Sequence, residues 1–143
     1  MKKQIIMFCV MVVVGMLFNP MNVLAYRIND LYLSLTLFYG GLLMASNMIW
    51  AHEIVHYLYM GSINIYVFLF GIILSCFVVF LLRSQLFVND TQWLKRMISH
   101  HSTALTTSHK ILETSHNDDV RTLATNIIDS QEKEISIMKS LIH

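Results

Sequence analysis

Residues 117–143 read NDDVRTLATNIIDSQEKEISIMKSLIH, and the spacing of their apolar positions decides the architecture. Asn117 is a capping side chain, and Asp118 and Asp119 put carboxylates where a helix dipole favours them. Beyond them Val120, Leu123/Ala124, Ile127, Gln131, Glu134/Ile135, Met138 and Leu141/Ile142 recur close to a heptad, the stripe of an amphipathic helix. Upstream, a second stripe at Trp93, Met97, His100/His101, Ala104, Ser108 and Ile111 predicts a partner helix from about Asp90 to Ser115. The two pair as an antiparallel hairpin.

The hairpin's register follows from its short turn. Residues facing each other have numbers that sum to about 235, as Ser115 and Val120 do at the turn. His100 and His101 then lie level with Glu134 and Ile135, Met97 with Met138, and Ala104 with Gln131. Gln131 and Glu134 fall on otherwise apolar positions, and a buried carboxylate without a partner costs several kcal/mol or shifts its pKa. Imidazole, thioether and carboxylate converge at one height, so the candidate metal ligands are His100, His101, Glu134, Met138, Met97 and Gln131. Thioether with imidazole suits Cu(I); carboxylate with imidazole suits Cu(II), Zn(II) or iron. Copper is the leading cofactor reading and zinc the alternative. The reading without metal is a buried His–Glu hydrogen bond with methionine filler.

The chain has 143 residues, 55% hydrophobic and 13% charged, against roughly 25% charged in a soluble domain. Seven of the nine acids lie beyond residue 83, so the front is read as membrane-embedded and the lipid bilayer as its partner. Residues 1–25 carry Lys2 and Lys3, an apolar run from Ile5 to Phe18, the break Asn19-Pro20, and small residues at Val23-Leu24-Ala25. That is the pattern of a signal peptide or of a first transmembrane helix with a proline kink. No side chain from Leu31 to Ala51 is charged, and apolar character continues to Met60. Gly61-Ser62 makes a turn, and Ile63 to Leu82 forms a second span ending at Arg83, so residues 31–83 are expected to form a transmembrane hairpin. Lys2 and Lys3 favour a cytoplasmic N-terminus. By parity the tail, 84–143, is exported to the outer, periplasmic face of a multi-pass cell (inner) membrane protein. A lone hairpin of about 60 residues is small for independent stability, so it is expected to dimerise into a four-helix bundle, as a homo-oligomer, or to rest on the membrane helices.

The net charge of +1 gives no footprint for nucleic acid. Nothing in the chain identifies a small-molecule substrate. Cys9 and Cys76 sit in apolar runs and read as small hydrophobes.

His52-Glu53-Ile54-Val55-His56 matches H-E-x-x-H, in which two histidines bind zinc and the glutamate activates water. A metalloprotease also needs a third ligand, and the apolar run after His56 offers only Asn64 before Asn89 and Asp90. Met44, Met48, His52 and His56 are successively four apart, which makes them a second, weaker metal candidate, a soft-metal stripe along one side of a helix. The alternative places His52 to His56 at a membrane boundary beside Tyr57 and Tyr59.

The tail resembles a known family, the domain of unknown function numbered 305. The residues that carry the likeness are Trp93-Leu94-Lys95-Arg96-Met97-Ile98-Ser99-His100-His101, Asp119-Val120-Arg121, Leu123-Ala124, Ile127-Ile128, and Gln131-Glu132-Lys133-Glu134-Ile135 with Met138. Leu82-Arg83-Ser84-Gln85 looks like the junction in that family's multipass membrane branch. The resemblance implies a ferritin-like fold and, from exported members, copper binding or tolerance, with His100, His101, Glu134 and Met138 as the functional set. Ser99 stands where the family usually has proline. The expected molecule is thus an all-α membrane protein, two or three transmembrane helices followed by a ferritin-like antiparallel helical hairpin, binding metal without catalysis. The alternatives are an oligomerisation module without metal and the zinc metalloprotease. A diiron bundle would need Glu-x-x-His pairs that the tail does not contain.

Overall fold

The computed structural model describes residues 2–142. Every regular element among them is helical: α1 (Lys2–Leu17), α2 (Pro20–Val23), α3 (Leu35–Met60), α4 (Ile65–Ser84), α5 (Asp90–Thr114) and α6 (Asp118–Leu141), with a 3-10 turn at Ile28–Asp30. They fall into two units. One holds residues 2–17 and 35–87, the other residues 18–34 and 88–142.

In the first unit α3 and α4 form a helical hairpin, and α1 packs on α3. Gly61 takes a φ of 69° to close the hairpin turn, a left-handed conformation that costs glycine nothing. Asn64 caps α4, its side chain accepting from the Val67 N–H at 3.3 Å. The helices meet through small residues. A Cβ at Gly41 would lie 2.6 Å from the Val12 carbonyl oxygen, so only glycine permits α1 to approach this closely. Between α3 and α4, Ser75 donates to Ser46 at 3.1 Å in the buried seam, and Ser46 donates back to the Leu43 carbonyl at 2.9 Å.

One helix among the described residues, Ile65–Ser84, is long and apolar enough to cross a membrane, where the sequence reading expects two or three spans. The difference has two sources. The first apolar run is a short helix, Ile5–Leu17. Helix α3 is 26 residues long, but Asn47, His52, Glu53 and His56 dilute its apolar character. It also starts at Leu35 rather than Leu31, because the residues before it belong to the other unit.

The second unit is built on α5 and α6, antiparallel as the periodicity predicts. Asn89 caps α5 by accepting from the Gln92 N–H at 2.9 Å. Asn117 caps α6 by accepting from the N–H groups of Asp119 and Val120 at 2.9 and 3.2 Å. Arg121 donates to the carbonyls of Leu112 and Ser115 and so satisfies the end of α5. Leu94, Ile98, Leu105, Ile135 and Met138 form the core, with Tyr32, Met97, Ile128 and Ile142 packed against it.

The buried face of α5 is rotated from the expected stripe. Leu94, Ile98 and Leu105 are inside, together with Ser99, Ser102 and Ser108, while Trp93 and Ile111 are exposed. The cause is a third layer. Residues 18–34, expected from sequence to lie partly in the signal peptide or first span (to 25) and partly in the transmembrane hairpin (from 31), instead run as a strap along α5 and cover the face that carries the serines.

Candidate functional site

His101 and Glu134 meet across the hairpin at the predicted register. His101 Nδ1 lies 2.9 Å from Glu134 Oε2, with side chains 13% and 49% exposed. The carboxylate is at the rim rather than inside, so the reading of Glu134 as a buried acid is corrected. The approach is close but off the direction of a ring N–H, and Nδ1 is a buried nitrogen without an aligned hydrogen bond. A buried polar atom left without a partner costs free energy that a cation or proton would relieve.

His100 is exposed, its ring edge-on to His101 with centroids 5.8 Å apart. Partial burial, then the neighbouring His101 and Arg96, hold its pKa below the usual histidine value, which keeps the imidazole neutral and able to coordinate a metal at neutral pH. Met138 is buried in the core and Met97 packs against it; Gln131 is half-buried. The structure thus brings His101 and Glu134 together, places His100 beside them, and puts both thioethers in the apolar layer. Among the described residues no group of three or more His, Cys, Asp or Glu side chains is gathered closely enough to hold an ion as placed.

The sequence reading misses a second polar cluster. Asp30, on the strap, is fully buried. One carboxylate oxygen accepts from Lys139 Nζ and the other from the Ser102 hydroxyl at 2.7 Å. Ser102 in turn accepts from the Tyr26 N–H at 2.9 Å. Ser99 donates to the Asp30 carbonyl at 2.8 Å. Arg27 forks onto Glu132 through Nη1–Oε2 and Nη2–Oε1 at 2.9 and 2.5 Å, and Tyr26 stacks on His109 with centroids 4.8 Å apart. These bonds anchor the strap. The available signal was a serine pair at Ser99 and Ser102 within an amphipathic helix.

The H-E-x-x-H residues lie at the end of the α3–α4 hairpin. Glu53 Oε2 accepts from the Asn64 N–H at 3.0 Å, and His56 Nδ1 is 2.9 Å from the Ser62 carbonyl oxygen. Met44 and Met48 are exposed on the same helix.

Residues 82–142, which hold this helical hairpin, match the family described as Domain of unknown function (DUF305). Over 124 residues the chain is 36% identical to "Uncharacterized protein L153" of Acanthamoeba polyphaga mimivirus, covering 87% of this chain and 81% of that one. The chain belongs to the family of that viral protein and carries a DUF305 domain in its C-terminal part. No solved structure matches it.

Proposed function

We propose that the chain is a membrane-anchored, non-catalytic metal-binding protein whose ion is copper, for handling or tolerance. Copper(II) suits a mixed imidazole and carboxylate set. His101 and Glu134 would hold it, with exposed His100 swinging in as a third donor and Gln131 nearby. Met97 and Met138 stand in the apolar layer beneath, where thioethers would favour the reduced ion. The observation that carries this reading is the His101 Nδ1, 2.9 Å from Glu134 Oε2 and without an aligned hydrogen bond. Zinc is the alternative ion.

Anchoring in a lipid bilayer is supported by α4, whose Phe70, Ile73, Phe77 and Phe80 expose large apolar side chains. The small-residue crossings at Gly41 and Ser46/Ser75 are the kind that bring helices together in lipid. On this reading α3 accompanies α4 through the bilayer, α1 serves as a third span or is removed as a signal peptide, and residues 88–142 lie on the outer, periplasmic face.

The test is copper-dependent stability of the full chain. An ion held at one hundred times its Kd stabilises by about 2.7 kcal/mol. Copper therefore raises the melting temperature of the unaltered protein and leaves that of Glu134→Gln in place; an equal rise in both contradicts the assignment.

A second reading, homo-oligomerisation, is favoured by one feature. Ile111, Val120 and Leu123 surround an uncovered apolar depression near the α5–α6 turn. If the hairpin is an assembly module only, Glu134→Leu changes the oligomeric mass and metal changes neither size nor melting.

A further inference from the structure

His52 and His56 stand one turn apart at the end of α3, rings nearly parallel at 24° and centroids 6.4 Å apart. His56 Nδ1 lies 2.9 Å from the Ser62 carbonyl oxygen. A carbonyl only accepts, so Nδ1 carries the proton and Nε2 of the neutral ring keeps its lone pair. Histidines that bind metals are commonly oriented in this way, the far N–H given to a backbone carbonyl. His52 is open to solvent. Its side chain is 68% exposed, and its Nδ1 is 3.8 Å from Glu53 Oε1, beyond hydrogen-bond reach.

Glu53 is committed elsewhere. It is 12% exposed, and its Oε2 accepts the Asn64 N–H that opens α4. The carboxylate that a zinc peptidase uses to activate water is here part of the turn. What remains available is a pair of imidazoles beside an open depression that Ser62, Asn64 and Tyr66 also line.

We propose that His52 and His56 form a second, non-catalytic site for a borderline divalent transition-metal ion such as Zn2+, separate from the His101–Glu134 centre. Imidazole is the ligand such ions prefer. The four-residue spacing presents both rings on one face of α3, and water completes the shell. Bound there, the ion staples the turn of α3 between His52 and His56, one turn before the helix ends at Met60.

The experiment uses the full chain carrying His100→Ala with His101→Ala, which removes the copper centre proposed above and makes the outcome independent of it. Zn2+ is titrated calorimetrically into this protein and into the same protein with His52→Ala and His56→Ala added. One equivalent binds the first at micromolar concentrations, and the added pair weakens that event on the order of a hundredfold. Equal binding by both proteins, or none by the first, overturns the site. Nitrogen-15 NMR of the labelled histidines gives an independent check. His56 appears as the Nδ1–H tautomer in the metal-free chain; the Nε2–H tautomer would overturn the proposal.

Discussion

Asp30 and Lys139 form an ion pair between the strap and α6 across 109 positions of sequence, with the carboxylate fully buried and the ammonium half-buried. Neither charge is in place by accident of the surface. Removing one partner leaves the other desolvated, whereas replacing both by apolar groups need cost little. Lys139→Met is therefore expected to destabilise the 18–34/88–142 unit by about 3–5 kcal/mol, and Asp30→Leu with Lys139→Met to recover most of that loss. Denaturant unfolding measures both. Amide exchange at Tyr26 and Tyr32, whose N–H groups are given to Ser102 and Ser99, reports whether the strap detaches.

The outer clamp of the strap behaves differently. Arg27 and Glu132 are 45% and 35% exposed, so solvent screens their attraction despite the forked geometry. Arg27→Ala is expected to cost no more than about 1 kcal/mol, with the difference shrinking as salt is raised to about 1 M. A loss of the size predicted for Lys139→Met would show that this pair, too, is a buried anchor.

Gly41 sets how near α1 comes to α3. A methyl group there would meet the Val12 carbonyl at 2.6 Å and Met16 Cγ at 2.7 Å, and backbone cannot move aside cheaply. Gly41→Ala is expected to push α1 away and to cost about 1–3 kcal/mol. Disulfide trapping between cysteines placed at Gly15 and Met44 reads the separation; undiminished trapping in Gly41→Ala contradicts the packing.

His100 carries a pH signature. Burial first, and then the neighbouring His101 and Arg96, hold its pKa below the ordinary value of about 6.5. The fold thus favours the neutral ring, and the unfolded chain binds more protons in the window between the folded midpoint and that value. The stability this group contributes is full above about 6.5 and is lost as the pH falls through the window. NMR titration should place the His100 midpoint below that of an unfolded-chain histidine, and His101→Ala should raise it. A midpoint at the ordinary value would remove the effect.

Much of the helical hairpin is legible in the chain. The Asn117 cap, the turn between Thr114 and Asp118 and the register that sets His101 opposite Glu134 follow from local patterns whose partners are close in sequence. The strap is not legible. Asp30 finds its partners 69 to 109 residues away, and an acid in a connecting segment reads as a solvated one. That omission also explains the rotated face of α5, since Ser99 and Ser102 serve the strap while Leu94, Ile98 and Leu105 serve the core. In the first unit, apolar runs revealed α3 and α4, but the count of spans is not set by length alone when Asn47, His52 and Glu53 interrupt one of them.

The central claim concerns the ion between α5 and α6, and elemental analysis tests it most directly. Purified full-length protein loaded with copper and freed of excess is compared with His100→Ala/His101→Ala treated identically. The account predicts one copper more per chain in the unaltered protein than in the variant. Equal copper in both would leave the His101–Glu134 pair as a rim contact of the helical hairpin and contradict a metal-handling role.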